Sequence, residues 1–433
     1  MVCITNENLY KHLIVLETMI DKETLRKIVR LQREELLLFD EGVSREESVD
    51  IDINVPFAVI LSGIRRCGKS TLLLQLMKRA KHFYYFNFED SRATDFDVKD
   101  FEKLDLIFHE EYKDCQYYFF DEIQNVPKWE LFIRRSVDLK KHVVITGSNA
   151  SLLSKELGTR LTGRHLTHEL FPFSFKEFLK IEKLKGNLNS FERYLTEGGF
   201  PEYLKLKRPD ILQELLTDIL TRDIATRYKI RSQKRLKELA IHLLTNIGKQ
   251  FTYNSLKKSF KLGSVNSVIS FISYFEDAYL LFTIPKFDYS HKKMLVSPKK
   301  VYSIDNGLSV RNSASFFDDR GRLLENLVFI NLRRKHKDLL YFQNTHECDF
   351  IVRDGEKIIM AVQVCYEINE DNKERELYGL REAVEKFKLK EGLILTYNQT
   401  DEFELGKAKI KAIPIWRWLL SDMRLTKITY SLL

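Results

Sequence analysis

Between Val55 and about Leu179, short apolar runs alternate with polar, helix-like stretches. Strands covered on both faces read as unbroken apolar runs, so this rhythm predicts an α/β domain with a parallel sheet and helices on both faces. The predicted strands are Ala58–Leu61, Phe83–Phe86, Tyr117–Phe120 and Val143–Ile145. Ahead of them, Thr24 to Phe39 sets leucines and isoleucine among Lys, Arg and Glu, which predicts a helix ended by Glu41, Gly42 and the polar run Ser44–Ser48.

Beyond the α/β region the period changes. Residues 186–235 read as helical around the turn Gly198-Gly-Phe-Pro-Glu202. Next come predicted helices at Leu236–Leu244, Ser255–Phe260 and Val265–Leu281, then β-rich stretches at Leu281–Ile284 and Lys300–Ile304 around a polar tip, His291-Lys-Lys293. A winged helix needs that order. From about Arg320 the pattern predicts helix, strand, strand, helix, strand, an α+β module. The expected divisions are therefore 1–50, 51–185, 186–235, 236–310 and 311–433.

Length supports several domains, since 433 residues exceed one core. A chain with 44% hydrophobic and 30% charged residues is ordinary for a globular protein. A net charge of +8 permits a polyanionic partner such as double-stranded DNA without requiring one. Cys3, Cys67, Cys115, Cys348 and Cys365 are scattered, with no C-x-x-C pair, which argues against a disulfide framework or a zinc cluster. No apolar run reaches spanning length and no leader pattern opens the chain, so no membrane association and a cytoplasmic location are expected.

The candidate chemistry starts at Gly63, Ile64, Arg65, Arg66, Cys67, Gly68, Lys69 and Ser70, followed by Thr71. This is the pattern G-x-x-x-x-G-K-[ST] between an apolar run and a helix opening, the context a phosphate-binding loop requires. Backbone N–H groups of such a loop cradle a polyphosphate, Lys69 reaches its outer phosphates, and Ser70 completes a Mg²⁺ shell. Arg65 and Arg66 either assist with phosphate or face solvent. Tyr117-Tyr-Phe-Phe-Asp-Glu122 is an apolar run ending in two carboxylates: Asp121 is placed for Mg²⁺ and Glu122 for the attacking water. Ser148 or Asn149, ending the next apolar run, is placed to sense a γ-phosphate. Arg160 and Arg164 are candidates for an arginine acting on that phosphate, within the chain or across a subunit contact. Glu89 and Asp90 either join the metal site or cap the next helix.

Taken together, the loop, Asp121-Glu-Ile-Gln124, Thr146-Gly-Ser-Asn149 and Gly198-Gly-Phe-Pro-Glu202 resemble a prokaryotic AAA-type P-loop ATPase family. Its members carry an uncharacterised restriction-endonuclease-like C-terminal domain. The resemblance spans about residue 20 to 400 and implies ATP and Mg²⁺ binding with hydrolysis. It names no cellular substrate.

Two downstream regions complete the reading. Ser264, Asn266, Ser267 and Ser270 open the candidate recognition helix; Arg227, Lys229, Arg231, Lys234 and Arg235 precede it, and His291, Lys292 and Lys293 mark the tip. Such groups suit weak or sequence-tolerant DNA contact, or else simple solvation. In the last segment, Glu325 on a helix, Asp349 at a strand entry and Gln363 on the next strand resemble the PD-(D/E)xK nuclease core. There two acids hold the metal, and a lysine two residues after the second helps activate water. Here Gln363 stands for the second acid and Cys365 for the lysine, with Lys357 as a distant substitute. The expected state is a vestigial metal site at Glu325, Asp349 and Gln363 that does not cut DNA. The function expected of the whole chain is a Mg²⁺-dependent ATPase. Its alternatives are a slow nucleotide-gated switch or DNA-binding regulator and, disfavoured, a structure-specific nuclease.

Overall fold

A computed structural model describes residues 20–148, 163–314, 319–406 and 408–421. The chain divides into two units, Met1–Gly63 with Gly68–Leu170, and Ile64–Cys67 with Phe171–Leu433.

The first unit runs α1 (Lys22–Leu36), β1 (Ala58–Gly63), α2 (Lys69–Met77), β2 (Tyr84–Asn87), α3 (Asp100–Glu111), β3 (Tyr117–Asp121), α4 (Trp129–Asp138), β4 (His142–Gly147) and β5 (His165–Leu170). Helix α1 starts where Asp21 accepts the N–H groups of Glu23 and Thr24, and it buries Leu25, Ile28, Val29 and Leu36, one face at helical spacing. All five strands are parallel, in the order β2-β3-β4-β1-β5. This is a P-loop NTPase fold. The four predicted strands are present with ends within two residues of those predicted, and β5 is an addition.

Rigidity at the site comes from β3. Tyr118, Phe119 and Phe120 are each 0% exposed. Burial of one such ring stabilises by roughly 1.5–3 kcal/mol, so the strand ending in Asp121 is firmly held. Strand β4 lies between β1 and β3, which brings three strand ends together at the carboxyl edge of the sheet, where open α/β sheets bind ligands.

The second unit opens with α5 (Phe175–Glu182), α6 (Leu188–Glu197), α7 (Pro201–Leu206) and α8 (Asp210–Asp218), which continues as a π-helical segment, Ile219–Thr226. Then follow α9 (Gln233–Thr245), β6 (Gln250–Phe251), α10 (Tyr253–Ser259), α11 (Val265–Asp277), β7 (Leu281–Pro285), α12 (His291–Val296) and β8 (Lys299–Ser303), the strands forming an antiparallel sheet in the order β6-β8-β7. Helix α11 stops short of the predicted Leu281 because Tyr279 turns to φ 57° and the Leu280 N–H closes back onto the Phe275 carbonyl. The polar tip is the short helix α12.

The remainder runs α13 (Asn306–Asn312), α14 (Arg320–Lys335), β9 (Leu339–Gln343), β10 (Glu347–Asp354), β11 (Lys357–Cys365), α15 (Lys373–Phe387), β12 (Glu391–Thr396), β13 (Asp401–Leu405), β14 (Ala408–Pro414) and α16 (Ile415–Leu420). Its six strands lie in the order β13-β14-β12-β11-β10-β9. That is three strands more than predicted. The Phe287 N–H donates to the Tyr341 carbonyl at 2.8 Å, so the chain leaving β7 runs beside β9.

The turn Gly198-Gly-Phe-Pro is a structural clasp. Gly198 has φ 73°, and a Cβ there would lie 2.2 Å from Asp305 Oδ1. A Cβ on Gly199 would lie 2.2 Å from the Phe173 carbonyl oxygen. The Gly199 N–H donates to Asp305 Oδ2 at 2.7 Å, and the Phe173 N–H donates to the Gly199 carbonyl at 2.7 Å. Pro201 then starts α7, where its missing N–H costs nothing.

Candidate functional site

The loop after β1 turns at Gly68, whose φ of 101° disfavours any side chain. It delivers the N-terminus of α2, which has no side-chain cap, so its first N–H groups and the positive end of its dipole suit an anion. Lys69 is 4% exposed; its ammonium donates to the Gly63 carbonyl at 3.2 Å and lies 3.6 Å from Glu122 Oε1. Ser70 is exposed, and its hydroxyl bonds Asp121.

Asp121 is 3% exposed and receives the Thr146 hydroxyl. Burial first, then the Glu122 charge, push its carboxyl up to about 6, against the bonds from Thr146 and Ser70 and the Lys69 charge. Thr146 also accepts the Glu122 N–H at 2.8 Å. One hydroxyl on β4 therefore fixes the Asp121 carboxylate and the Glu122 backbone at the end of β3. Glu122 sits at φ 49°, a left-handed backbone that turns its side chain off the strand line. Its Oε2 accepts from Gln124 Nε2, which lies 3.5 Å from Ser148 Oγ. Gln124 Oε1 is buried with no hydrogen-bond partner. That orphaned acceptor beside a carboxylate and a hydroxyl fits a water, which can donate to it.

The donor set fits a nucleotide with Mg²⁺. Mg²⁺ keeps several waters and uses one or two protein oxygens beside phosphate, which Ser70 and Asp121 provide. Among the described residues no group of three or more His, Cys, Asp or Glu side chains is arranged to hold a metal by protein ligands alone.

Other candidates fall elsewhere. Asn149 and Arg160 lie outside the described residues. Arg164 is not brought to the loop: its carbonyl accepts the Ala58 N–H at 3.0 Å and its guanidinium pairs with Asp138, both at the amino edge of the sheet. Asp90 caps the turn Ser91–Ala93 and bonds Gln32 and Arg92, so the capping alternative holds. The loop crest Ile64–Cys67 groups with the second unit, where Arg65 bonds Asp223 at 3.1 Å and Arg66 bonds Glu202 at 3.2 Å and Asp218 at 3.1 Å. Thr146 and Gln124 lie within the sequence motifs, but the sequence alone gives them no role. A hydroxyl at the tip of the strand between the loop strand and the carboxylate strand was the available signal.

In the second unit, Arg227, Lys229, Arg231, Lys234 and Arg235 are exposed, as are His291, Lys292 and Lys293. Ser264 caps α11 by accepting the Ser267 N–H at 3.1 Å, and the two hydroxyls bond each other at 3.0 Å. Those two serines therefore serve the helix end.

The residues expected to form a vestigial metal site are engaged by protein. Lys300 of β8 is 3% exposed, and its ammonium lies 3.0 Å from Glu325 Oε1, 2.6 Å from Glu347 Oε1 and 2.8 Å from Asp349 Oδ1. Burial works against that charge, but Asp349, Glu325, Tyr302 and Glu347 outweigh it and hold Lys300 well above its usual value. Gln363 is no ligand: its Oε1 accepts the Asp349 N–H at 3.1 Å and its amide donates to Glu376 Oε2 at 2.8 Å. Lys357 is exposed, pairs with Asp354 at the far end of β11, and is no substitute for the missing lysine. Cys365 donates to the Glu367 carbonyl at 3.0 Å, and burial pushes its thiol up to about 12, which leaves it inert as a nucleophile. Glu325, Asp349 and Gln363 do not fit a metal here.

Residues 56–179 match the AAA domain; residues 188–315 and 320–418 match two domains of unknown function, DUF8612 and DUF4143. A solved structure, AMPPCP-bound DnaA from Aquifex aeolicus, is 17% identical over 60% of this chain and 89% of that one, with a TM-score of 0.28, which adds nothing to the reading. An uncharacterized protein of Haemophilus influenzae is 29% identical over 84% of this chain and 94% of its own length. Uncharacterized protein MJ1544 of Methanocaldococcus jannaschii is 35% identical over 93% of this chain and 97% of its own. The chain carries an AAA domain and belongs to the family of MJ1544.

Proposed function

We propose that this chain binds ATP with Mg²⁺, hydrolyses it, and uses turnover to rearrange its C-terminal modules. The observation that carries the reading is the convergence of Lys69, Ser70, Asp121 and Glu122, with Thr146 bonded to the Asp121 carboxylate and to the Glu122 backbone N–H. Mg²⁺, when bound, would supply positive charge against the phosphates. Loop N–H groups and Lys69 hold the phosphates, and the Ser70 hydroxyl and Asp121 face the metal. Glu122 accepts a proton from the attacking water, oriented by Gln124, while Ser148 reads the γ-phosphate. Asn149 is the alternative sensor and Arg160 the candidate arginine donor.

Coupling has a natural route. Arg65 and Arg66 sit on the loop crest and pair with Asp223, Glu202 and Asp218, carboxylates on helical segments of the second unit. A polyphosphate that draws either guanidinium away would release those segments. We read 236–310 as a winged helix whose exposed basic side chains, with those just before it, touch DNA weakly and without sequence preference, and 311–433 as a restriction-endonuclease-like module that does not cut.

Steady-state ATP hydrolysis of the full chain with Mg²⁺, beside Lys69→Ala and Glu122→Gln and with or without duplex DNA, tests the reading. Turnover in the parent chain that both variants lose supports it, and stimulation by DNA supports the coupling. ATP binding without turnover would overturn the ATPase and leave a nucleotide-gated switch.

A further inference from the structure

A lysine ammonium has three N–H donors. That of Lys300 donates to Glu325 on α14 and to Asp349 on β10 and lies 2.6 Å from Glu347 Oε1, so three carboxylates surround one ammonium. Each carboxylate is also fixed by a further donor. Tyr302 donates to Glu325 Oε1 at 2.6 Å, Gln250 to Glu347 Oε2 at 2.7 Å, and the Val364 N–H to Asp349 Oδ2 at 3.0 Å. Lys300, Tyr302 and Gln250 all belong to the three-stranded sheet, whereas the carboxylates belong to the helix and strand that start the C-terminal module.

We infer that Lys300 is the resident cation of this carboxylate cluster, standing where a divalent metal would stand in a metal-dependent phosphodiesterase. The cluster joins the three-stranded sheet to the C-terminal module and carries no metal chemistry. The alternative role, a lysine that activates water, needs an ammonium open to a phosphodiester, and this one is 3% exposed. Physical chemistry makes lysine and metal mutually exclusive here. A divalent ion drawing in the same three oxygens would leave a buried ammonium with no partner, a cost of several kcal/mol. The inference rests on the nuclease-like reading of 311–433 for its comparison with a metal.

Removal of the lysine should open the site. In Lys300→Met the stem persists and the charge goes, leaving three carboxylates to repel one another. Mn²⁺ is the probe, titrated without nucleotide and followed by electron paramagnetic resonance and thermal denaturation. The parent chain and its Asp349→Asn variant should bind Mn²⁺ alike. Lys300→Met should bind at least about tenfold more tightly and gain thermal stability from Mn²⁺, and the Lys300→Met/Asp349→Asn double variant should lose both. Mn²⁺ binding by the parent chain that Asp349→Asn abolishes would overturn the inference; so would a folded Lys300→Met that ignores Mn²⁺. Should Lys300→Met fail to fold, Lys300→Met/Glu325→Gln restores part of the charge balance. Recovery of folding then supports the cluster, and no recovery overturns it. Mn²⁺-dependent DNA cleavage by the parent chain, lost in Asp349→Asn, would sink the inference while leaving the nuclease-like reading intact.

Discussion

The Lys69 ammonium lies 3.6 Å from Oε1 of Glu122. A γ-phosphate held by Lys69 therefore comes within one water of the carboxylate assigned to activate the nucleophile. The two residues separate into different kinetic roles. Glu122→Gln should keep ATP affinity and lose turnover by about 10²–10³-fold, because an amide cannot take the proton. Lys69→Ala should lose both. Nucleotide binding by fluorescence, set beside single-turnover hydrolysis, separates the cases. Equal losses of affinity in both variants would show that Glu122 only supports the loop.

Thr146 is the second hinge of the site. Its hydroxyl donates to Asp121 and accepts the Glu122 N–H at 2.8 Å, and the residue is 0% exposed. Thr146→Val keeps the shape but strands a buried N–H and removes a donor from Asp121, a loss of about 1–3 kcal/mol. Misplacement of both carboxylates should also lower turnover by roughly tenfold to a hundredfold. Thr146→Ser should restore most of each. Thermal denaturation and turnover measured on the three proteins check this; a stable Val variant with full turnover would remove Thr146 from the site.

These residues also show what a one-dimensional reading reaches. Strands β1, β3 and β4 were legible because each holds an unbroken run of buried apolar residues, and β2, an edge strand buried at alternate positions, was legible from its aromatic run. β5 was missed because His165-Leu-Thr-His-Glu-Leu170 is a half-exposed edge strand with polar residues in most positions. The loop and both carboxylates were legible because their spacing along the chain is their chemistry. The partners of Arg65 and Arg66 were not, since Asp223 lies 158 positions from Arg65 and Glu202 lies 136 from Arg66. The lysine of the C-terminal cluster was sought at Cys365 and Lys357, on the strand where a local pattern would put it. It comes instead from β8, 49 positions before Asp349, and only the folded chain brings the two together.

The glycine clasp gives a prediction about stability. Gly199→Ala would set a Cβ 2.2 Å from the Phe173 carbonyl oxygen, a backbone atom that cannot swing away. The loss should be at least about 3 kcal/mol. Gly263→Ala is the contrast, because nothing lies within 4 Å of its added Cβ and the change should stay within about 0.5 kcal/mol. Denaturant unfolding of both variants checks the pair. Similar midpoints would mean that the clasp opens without strain.

Asp305, which receives the Gly199 N–H, should make stability depend on pH. Burial pushes its carboxyl up to about 6 from 3.8, although the N–H groups of Gly199, Leu308 and Gly307 favour its charged form. Between those values the folded chain holds a proton that the unfolded chain has released. The contribution is therefore full below about 3.8 and is lost as pH rises through about 6. The whole swing is on the order of 3 kcal/mol. Asp305→Asn removes the titration while keeping a side-chain oxygen at the N-terminus of α13, so its own offset is constant with pH. The stability of the parent chain relative to Asp305→Asn should fall as pH rises from about 4 to about 7, as read from parallel thermal melts. A difference that stays flat across that window would show that Asp305 keeps one protonation state in the fold throughout.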